Sequence, residues 1–113
     1  MSEQVVLLCP GQGAQKVGMG KAWHDSSNAA KAIFEEADEI LGGSLGRPLT
    51  EICFEDPDGI INQTNVSQPA IYTASIASWH GLSEKGIASE PIATAGLSLG
   101  EYSALHLAGV FSF

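Results

Sequence analysis

The segment that most constrains the fold is TAGLSLGEYSAL, residues 94–105, in which a serine lies between two glycines. The preceding residues, Ile92–Ala95, are small, apolar and partly β-branched, which is typical of a buried strand. The following residues, Glu101–Ala108, space their apolar side chains as a helix does. A strand that turns into a helix through G-x-S-x-G matches a nucleophile elbow. Ser98 is therefore a candidate nucleophile, and the alternative is a glycine-rich turn whose serine has no chemical role.

The rest of the chain predicts an α/β fold with a parallel sheet. Val5–Cys9 is a continuous apolar run, as expected of a strand that is buried on both faces. Further helices are predicted at Met19–His24, Asn28–Leu41, Pro48–Phe54 and Val66–Lys85, the last of them apolar on most sides. In the second of these helices the expected buried stripe is Ala29, Ile33, Ala37 and Ile40. A strand, several helices, a second strand and a final helix in this order are typical of a parallel sheet with packed helices.

Two strands seldom form a self-sufficient parallel sheet, and the chain ends in the apolar sequence HLAGVFSF. We therefore expect residues 1–113 to be the first part of a larger protein, whose remainder is needed to complete the fold.

Charge and cysteine spacing exclude several classes of function. The chain has 13 acidic and 5 basic residues and a net charge of −8, which argues against binding to nucleic acids or anionic membranes. We see no membrane-spanning run and no signal peptide. Cys9 and Cys53 lack the spacing of a metal or redox site, so we predict reduced thiols, no metal ion and a cytoplasmic location.

The glycine-rich loop after the first strand, Gly11–Gln15, does not fit the two common phosphate-binding patterns. A dinucleotide-binding loop requires glycine at position 16, which is Lys16. A Walker loop requires glycine at position 15 and serine or threonine at position 22, which are Gln15 and Ala22. We therefore predict no nucleotide cofactor. The loop is either an ordinary turn or a donor of a backbone N–H to a neighbouring site.

A serine nucleophile needs a general base, and the three histidines do not offer one. His106 lies eight residues beyond Ser98 on the predicted helix, which corresponds to roughly 12 Å and exceeds hydrogen-bond reach. His24 and His80 lie in helical contexts without a recognisable partner. The base is therefore expected outside these residues.

Three segments together resemble one enzyme family. CPGQGAQKVGMG, SQPAIYTAS and GLSLGEYSALHLAGVFSF are similar, in order and spacing, to segments of malonyl-CoA:acyl carrier protein transacylases. Acyltransferase domains of polyketide synthases share these motifs, and the start at Met1 favours a stand-alone enzyme. The resemblance implies a hydrolase-like, three-layer α/β subdomain with a parallel sheet. Residues 1–113 would supply only its N-terminal part, and an inserted ferredoxin-like subdomain would lie beyond this chain.

The resemblance also implies roles for individual residues. Ser98 would carry the acyl group, and the backbone N–H groups of Gln12 and Leu99 would form the oxyanion hole. Gln68 would line the substrate site, and Glu101 is the acid that follows the elbow in this family. The family usually has histidine immediately before the nucleophile, where this chain has Leu97. The arginine that pairs with the malonyl carboxylate, the catalytic histidine and a residue that supports it would lie downstream.

The implied reaction transfers malonyl from coenzyme A to the phosphopantetheine thiol of acyl carrier protein, through a malonyl-serine and without a further cofactor. Because such carrier proteins are acidic, their docking surface is expected mostly outside this acidic chain. The alternatives are an acyltransferase of a polyketide pathway, a serine esterase or thioesterase, and a piece that is not catalytic by itself.

Overall fold

The computed structural model describes residues 4–86 and 91–113. These residues form strands β1 (Val6–Cys9) and β2 (Ala93–Gly96) and helices α1 (Lys21–Ser26), α2 (Asn28–Leu41), α3 (Leu49–Phe54), α4 (Thr64–Glu84) and α5 (Leu99–Leu107). Each element predicted from the sequence is present, with bounds that differ by at most two residues. None of the helices in these two ranges combines the length and hydropathy needed to cross a membrane.

The two strands pair in parallel, with Val6 opposite Ala93 and Cys9 opposite Gly96. The pairing extends by one hydrogen bond before the strands, from the N–H of Ile92 to the carbonyl of Val5 at 2.8 Å. Parallel strands have their carboxyl ends at the same edge of the sheet. The loop that follows β1 therefore lies beside the turn that follows β2, and the α/β prediction with a parallel sheet is confirmed.

Helix α2 buries a stripe that differs from the predicted one. Its buried residues are Ala30, Ile33, Phe34 and Ala37, which follow the i, i+3, i+4, i+7 spacing of one helix face. Ala29 is only half-buried, and Ile40 is 64% exposed. The predicted stripe was therefore wrong at both of its ends, because the helix turns its one aromatic side chain, Phe34, into the core.

Helix α4 is the central support of the described chain, and it packs against α1, α2, α3 and α5. As predicted, it is buried on most sides; the buried residues are Val66, Ser67, Ala70, Ile71, Thr73, Ala74, Ile76, Ala77 and Gly81. Near its end, Gly81 lies directly against the Trp23 ring, where a larger side chain would collide. The Glu84 carboxylate then accepts hydrogen bonds from the N–H groups of Asn28 and Ala29 at 3.1 and 2.8 Å, which joins α4 to the start of α2.

Within the described residues, the apolar side chains of the two strands are not buried on both faces. Val6 and Leu8 share one face of β1 and are 53% and 81% exposed, and Ile92 before β2 is 62% exposed. Leu7 and Cys9, on the other face, are half-buried. The apolar run correctly predicted a strand, but burial of its second face requires a covering element that the described residues do not provide.

Candidate active site

Ser98 occupies a strained turn between β2 and α5. Its φ of 56° and ψ of −118° lie outside the regions that residues with a Cβ prefer. Only one other non-glycine residue in the described chain, Asp56, has a positive φ. A conformation of this kind costs on the order of 1–3 kcal/mol and is often found at functional sites. The turn leaves Ser98 exposed at the carboxyl edge of the sheet.

Glycines on both sides of Ser98 allow the backbone to pack without intervening side chains. A Cβ at Gly96 would overlap the backbone of Gly100, and a Cβ at Gly100 would overlap the carbonyl of Cys9. The first turn of α5 therefore lies directly on the end of β1. Thr94 further anchors the elbow, because its Oγ1 donates a 2.7 Å hydrogen bond to the Ala104 carbonyl.

The loop after β1 touches the elbow at Gly11. A Cβ at this position would lie 2.8 Å from the Leu97 carbonyl oxygen and 3.8 Å from the Leu99 nitrogen. Within the described chain, neither the Gln12 N–H nor the Leu99 N–H has a hydrogen-bond acceptor. Two free N–H groups on adjoining backbone segments are able to bind an oxyanion. The structure thus places the loop that carries Gln12 against the segment that carries Leu99, the two positions that the family resemblance implies for an oxyanion hole.

Gln68 lies on the face of α4 that extends towards the same site. The first residue of this helix, Thr64, accepts a 3.0 Å hydrogen bond from Gln12 Nε2, and Gln68 lies one turn further on the same face. An open groove of about 380 Å³ follows; it is lined by Gln68, Pro69, Tyr72, Leu99, Tyr102 and Phe111. Gln68 and Leu99 therefore share one groove.

None of the three histidines is hydrogen-bonded to Ser98 within the described residues. His24 Nδ1 lies 3.0 Å from the carboxylate of the next residue, and His106 Nδ1 lies 2.8 Å from the Phe111 carbonyl oxygen. His80 is half-buried, and burial, with a smaller contribution from nearby His106, lowers its pKa. In residues 4–86 and 91–113, no side chain is hydrogen-bonded to Ser98. The described chain thus holds a candidate nucleophile and candidate oxyanion donors on adjoining segments, with no base hydrogen-bonded to Ser98.

The residues that flank the elbow differ in character. Glu101 lies exposed in the first turn of α5, where a negative charge is favoured by the partial positive charge of the helix start. Its N–H donates to the Ser98 carbonyl at 3.1 Å. Leu97 is 85% exposed, so an apolar side chain stands next to the candidate nucleophile.

Sequence reasoning missed two features of this site. The first is the aromatic lining of the groove by Tyr72 and Tyr102. Tyr72 follows Gln68 by one helical turn, so the helical repeat alone was a signal for its presence. The second is the pair of hydrogen bonds that joins the loop after β1 to the start of α4. These bonds join residues about 50 positions apart, and no local pattern indicates them.

The thiol groups of the two cysteines are not suited to act as the nucleophile. Both are free. Burial, and to a smaller extent Asp38, raises the pKa of the Cys53 thiol to about 12, and burial also raises the pKa of Cys9. Thiols with raised pKa values are poor nucleophiles because the thiolate is the reactive form.

Comparison with known proteins identifies the family. The family model described as "Acyl transferase domain" matches residues 6–113. This chain belongs to the acyl transferase domain family. The malonyl CoA-acyl carrier protein transacylase of Bacillus subtilis is 44% identical over 110 residues, which are 97% of this chain and 33% of that protein. A polyketide biosynthesis malonyl CoA-acyl carrier protein transacylase of Bacillus velezensis is 40% identical over 110 residues, 96% of this chain and 35% of that protein.

Solved structures of acyl transferases agree with this assignment. The crystal structure of malonyl CoA-acyl carrier protein transacylase from Clostridium perfringens superposes with a TM-score of 0.83 at 41% identity, over 97% of this chain and 33% of that one. The chain thus spans about a third of the length of the relatives that it matches. The resemblance noted from the three sequence segments is confirmed.

Proposed function

We propose that this chain supplies the nucleophile and the oxyanion hole of a malonyl-CoA:acyl carrier protein transacylase. The observation that carries the proposal is the strained backbone of Ser98 in an elbow that Gly11 contacts, where the N–H groups of Gln12 and Leu99 have no acceptor among the described residues. Residues 1–113 would form the N-terminal part of the larger, hydrolase-like subdomain of a longer protein, which is called the complete protein below. Relatives that bear this activity in their names support the proposal, and they are about three times as long.

In the first half-reaction, Ser98 Oγ attacks the thioester carbonyl carbon of malonyl-CoA while a histidine of the remaining chain takes its proton. The carbonyl oxygen becomes an oxyanion, which accepts hydrogen bonds from the backbone N–H groups of Gln12 and Leu99. Collapse of this intermediate breaks the carbon–sulfur bond, and the histidine returns the proton to the departing coenzyme A thiolate. The product is malonyl-Ser98.

In the second half-reaction, the phosphopantetheine thiol of acyl carrier protein attacks malonyl-Ser98. The same histidine takes the thiol proton and returns it to Ser98 Oγ as the ester bond breaks. The groove between α4 and α5, with Gln68 on its wall, is suited to the arm of either thioester substrate. An arginine of the remaining chain would select malonyl through a bidentate ion pair with its free carboxylate.

The uncovered sheet face supports a role for the remaining chain. Val6 and Leu8 are large apolar residues on one face of β1 that stay exposed in the described fold, and a surface of this kind is typical of a buried interface. We propose that later residues of the complete protein cover this face and bring the catalytic histidine to Ser98. A cytoplasmic location is consistent with the two free thiols.

Both fatty-acid and polyketide pathways use malonyl transfer to a carrier protein. The relatives include proteins named for polyketide biosynthesis, so the proposal covers both pathways.

The reaction itself is tested by adding malonyl-CoA to the complete protein with and without phosphopantetheinylated acyl carrier protein. We expect malonyl-carrier protein to form in amounts that match the released coenzyme A, with slow release when the carrier protein is absent.

Ser98→Ala should abolish this transfer, whereas Ser44→Ala, a change in the exposed turn after α2, should leave it unchanged. Rapid release of free malonate, at the same rate with and without carrier protein, would instead identify a thioesterase and refute the proposed transfer.

A further inference from the structure

Gln15 makes two hydrogen bonds with its side-chain amide at the loop that carries Gln12. Its Oε1 accepts from the N–H of Gly13 at 2.8 Å, and its Nε2 donates to Asn62 Oδ1 at 3.0 Å. The first bond holds the loop to itself, and the second holds it to the segment just before α4. Gln15 is half-buried, and both of its hydrogen bonds lie at the exposed side of the loop.

The loop needs such restraints because Gln12 lies between two glycines. Gly11 and Gly13 have no Cβ, so each leaves its backbone dihedrals freer than any other residue would. Gly13 adopts a φ of 107°, and the turn is closed by a 3.2 Å hydrogen bond from the Ala14 N–H to the Gly11 carbonyl. The bond from Gly13 N–H to Gln15 fixes the peptide that follows Gln12, since rotation of that peptide would break it.

A second hydrogen bond attaches the same loop to the first residue of α4. Gln12 Nε2 donates to Thr64 Oγ1 at 3.0 Å, two residues beyond the position that Gln15 holds. The loop is therefore attached to residues 62–64 at two points and contacts the elbow at Gly11. With the backbone held in this way, Gly11 stays against the elbow, and the Gln12 N–H stays on the loop segment that adjoins Leu99.

We propose that Gln15, acting with Asn62, is a positioning residue for the oxyanion-binding N–H of Gln12. This inference rests on the proposed function and deepens it. Gln15 does not touch the substrate in this proposal; it orients a donor whose hydrogen bond strengthens when the carbonyl oxygen becomes an anion. Loss of Gln15 should therefore reduce stabilisation of the transition state more than it reduces binding of the substrate.

The test measures single-turnover formation of malonyl-Ser98 in the complete protein. We expect Gln15→Ala to lower the maximal rate constant by roughly 10-fold to 100-fold, because a misplaced oxyanion donor costs up to about that much. The malonyl-CoA concentration for half-maximal rate should change less than about twofold, which is the signature of an interaction made in the transition state.

Three further variants separate positioning from general structural damage. Asn62→Ala should act in the same direction with a smaller effect. The double variant should be little slower than Gln15→Ala, because the hydrogen bond that Asn62→Ala removes is already lost in Gln15→Ala. Gln15→Glu keeps an acceptor for the Gly13 N–H and should recover part of the rate. Lys16→Ala removes a neighbouring exposed side chain that makes no hydrogen bond within the described residues, and it should have no effect.

An unchanged rate constant in Gln15→Ala would overturn the inference. So would a rise in half-maximal concentration alone, or a rate loss that disappears when the fraction of folded protein is taken into account. If wild-type Ser98 accepts no malonyl group, the proposed function fails. Acylation by p-nitrophenyl acetate then still compares Gln15→Ala with its parent, and equal rates there would refute the positioning role separately.

Discussion

Apolar side chains are buried in the helical region, α1 to α4, and exposed in the region of the two strands and the elbow. In the helical region, Phe34, Leu49 and Ile76 are almost completely buried. In the region of the strands and elbow, Leu8 and Leu97 are more than four-fifths exposed. The candidate nucleophile lies in the second region, so the part that carries it is not the part with the buried core. The proposed chemistry is therefore expected to depend on further chain.

The largest effect should come from separating residues 1–113 from the complete protein. Without a base, Ser98 stays protonated and the transfer rate should fall by about 10⁴-fold or more. The exposed apolar sheet face should also cause association. Single-turnover assays and analytical ultracentrifugation measure the two effects. A monodisperse fragment with a sharp thermal transition, or with a rate near that of the complete protein, would contradict this prediction.

A core substitution should show that stability resides in the helical region. In the complete protein, Phe34→Ala should lower the free energy of unfolding by about 3–5 kcal/mol, because it leaves a cavity between α2 and α4. The rate per folded molecule should be retained. Ile40→Ala, in the same helix but exposed, should change stability by less than about 0.5 kcal/mol. Urea denaturation measures both, and similar losses for the two variants would place the core elsewhere.

A single methyl group at Gly11 should show that the chemistry depends on close backbone contact. A Cβ there would lie 2.8 Å from the Leu97 carbonyl oxygen, so the loop would move away from the elbow. We expect Gly11→Ala to lower kcat by about 100-fold, the cost of losing one oxyanion donor. Gly43→Ala, where the added Cβ meets no described atom within 4 Å, is the matched control. Equal kcat values for the two variants would show that the reaction does not depend on the close contact between Gly11 and the elbow.

The smallest effect is expected at Leu97. Restoring the histidine usual in the family, Leu97→His, should change kcat by a few-fold without changing which serine is acylated. The position adjoins the nucleophile, but its exposed side chain is not the proposed base. Steady-state kinetics measure the change. If the natural enzyme is inactive and Leu97→His alone restores its activity, Leu97 is an inactivating substitution and this prediction is wrong.

The elements of the fold were predictable because their signals are local. Helix α2 was predicted with the observed bounds from its periodicity and the glycines that follow it. Burial was less predictable, because it depends on what packs against an element. The rotation of α2 towards Phe34 and the bare face of β1 are both tertiary effects.

The residues of the candidate site also differ in how far they could be predicted from the local sequence. The elbow around Ser98 was readable from five residues, and the family resemblance indicated Gln12, Leu99 and Gln68. The links from Gln12 to Thr64 and from Gln15 to Asn62 join distant segments. Such links become visible only when the chain is folded, because no spacing rule relates the two ends.

The most direct test is to locate the acyl group after the complete protein reacts with malonyl-CoA. Proteolysis and mass spectrometry should find one malonyl ester, on the peptide that contains Ser98, and the ester should disappear when phosphopantetheinylated acyl carrier protein is added. The same treatment of Ser98→Ala should yield no adduct. A malonyl ester on another residue, or one that persists in Ser98→Ala, would contradict the assignment of Ser98 as the nucleophile.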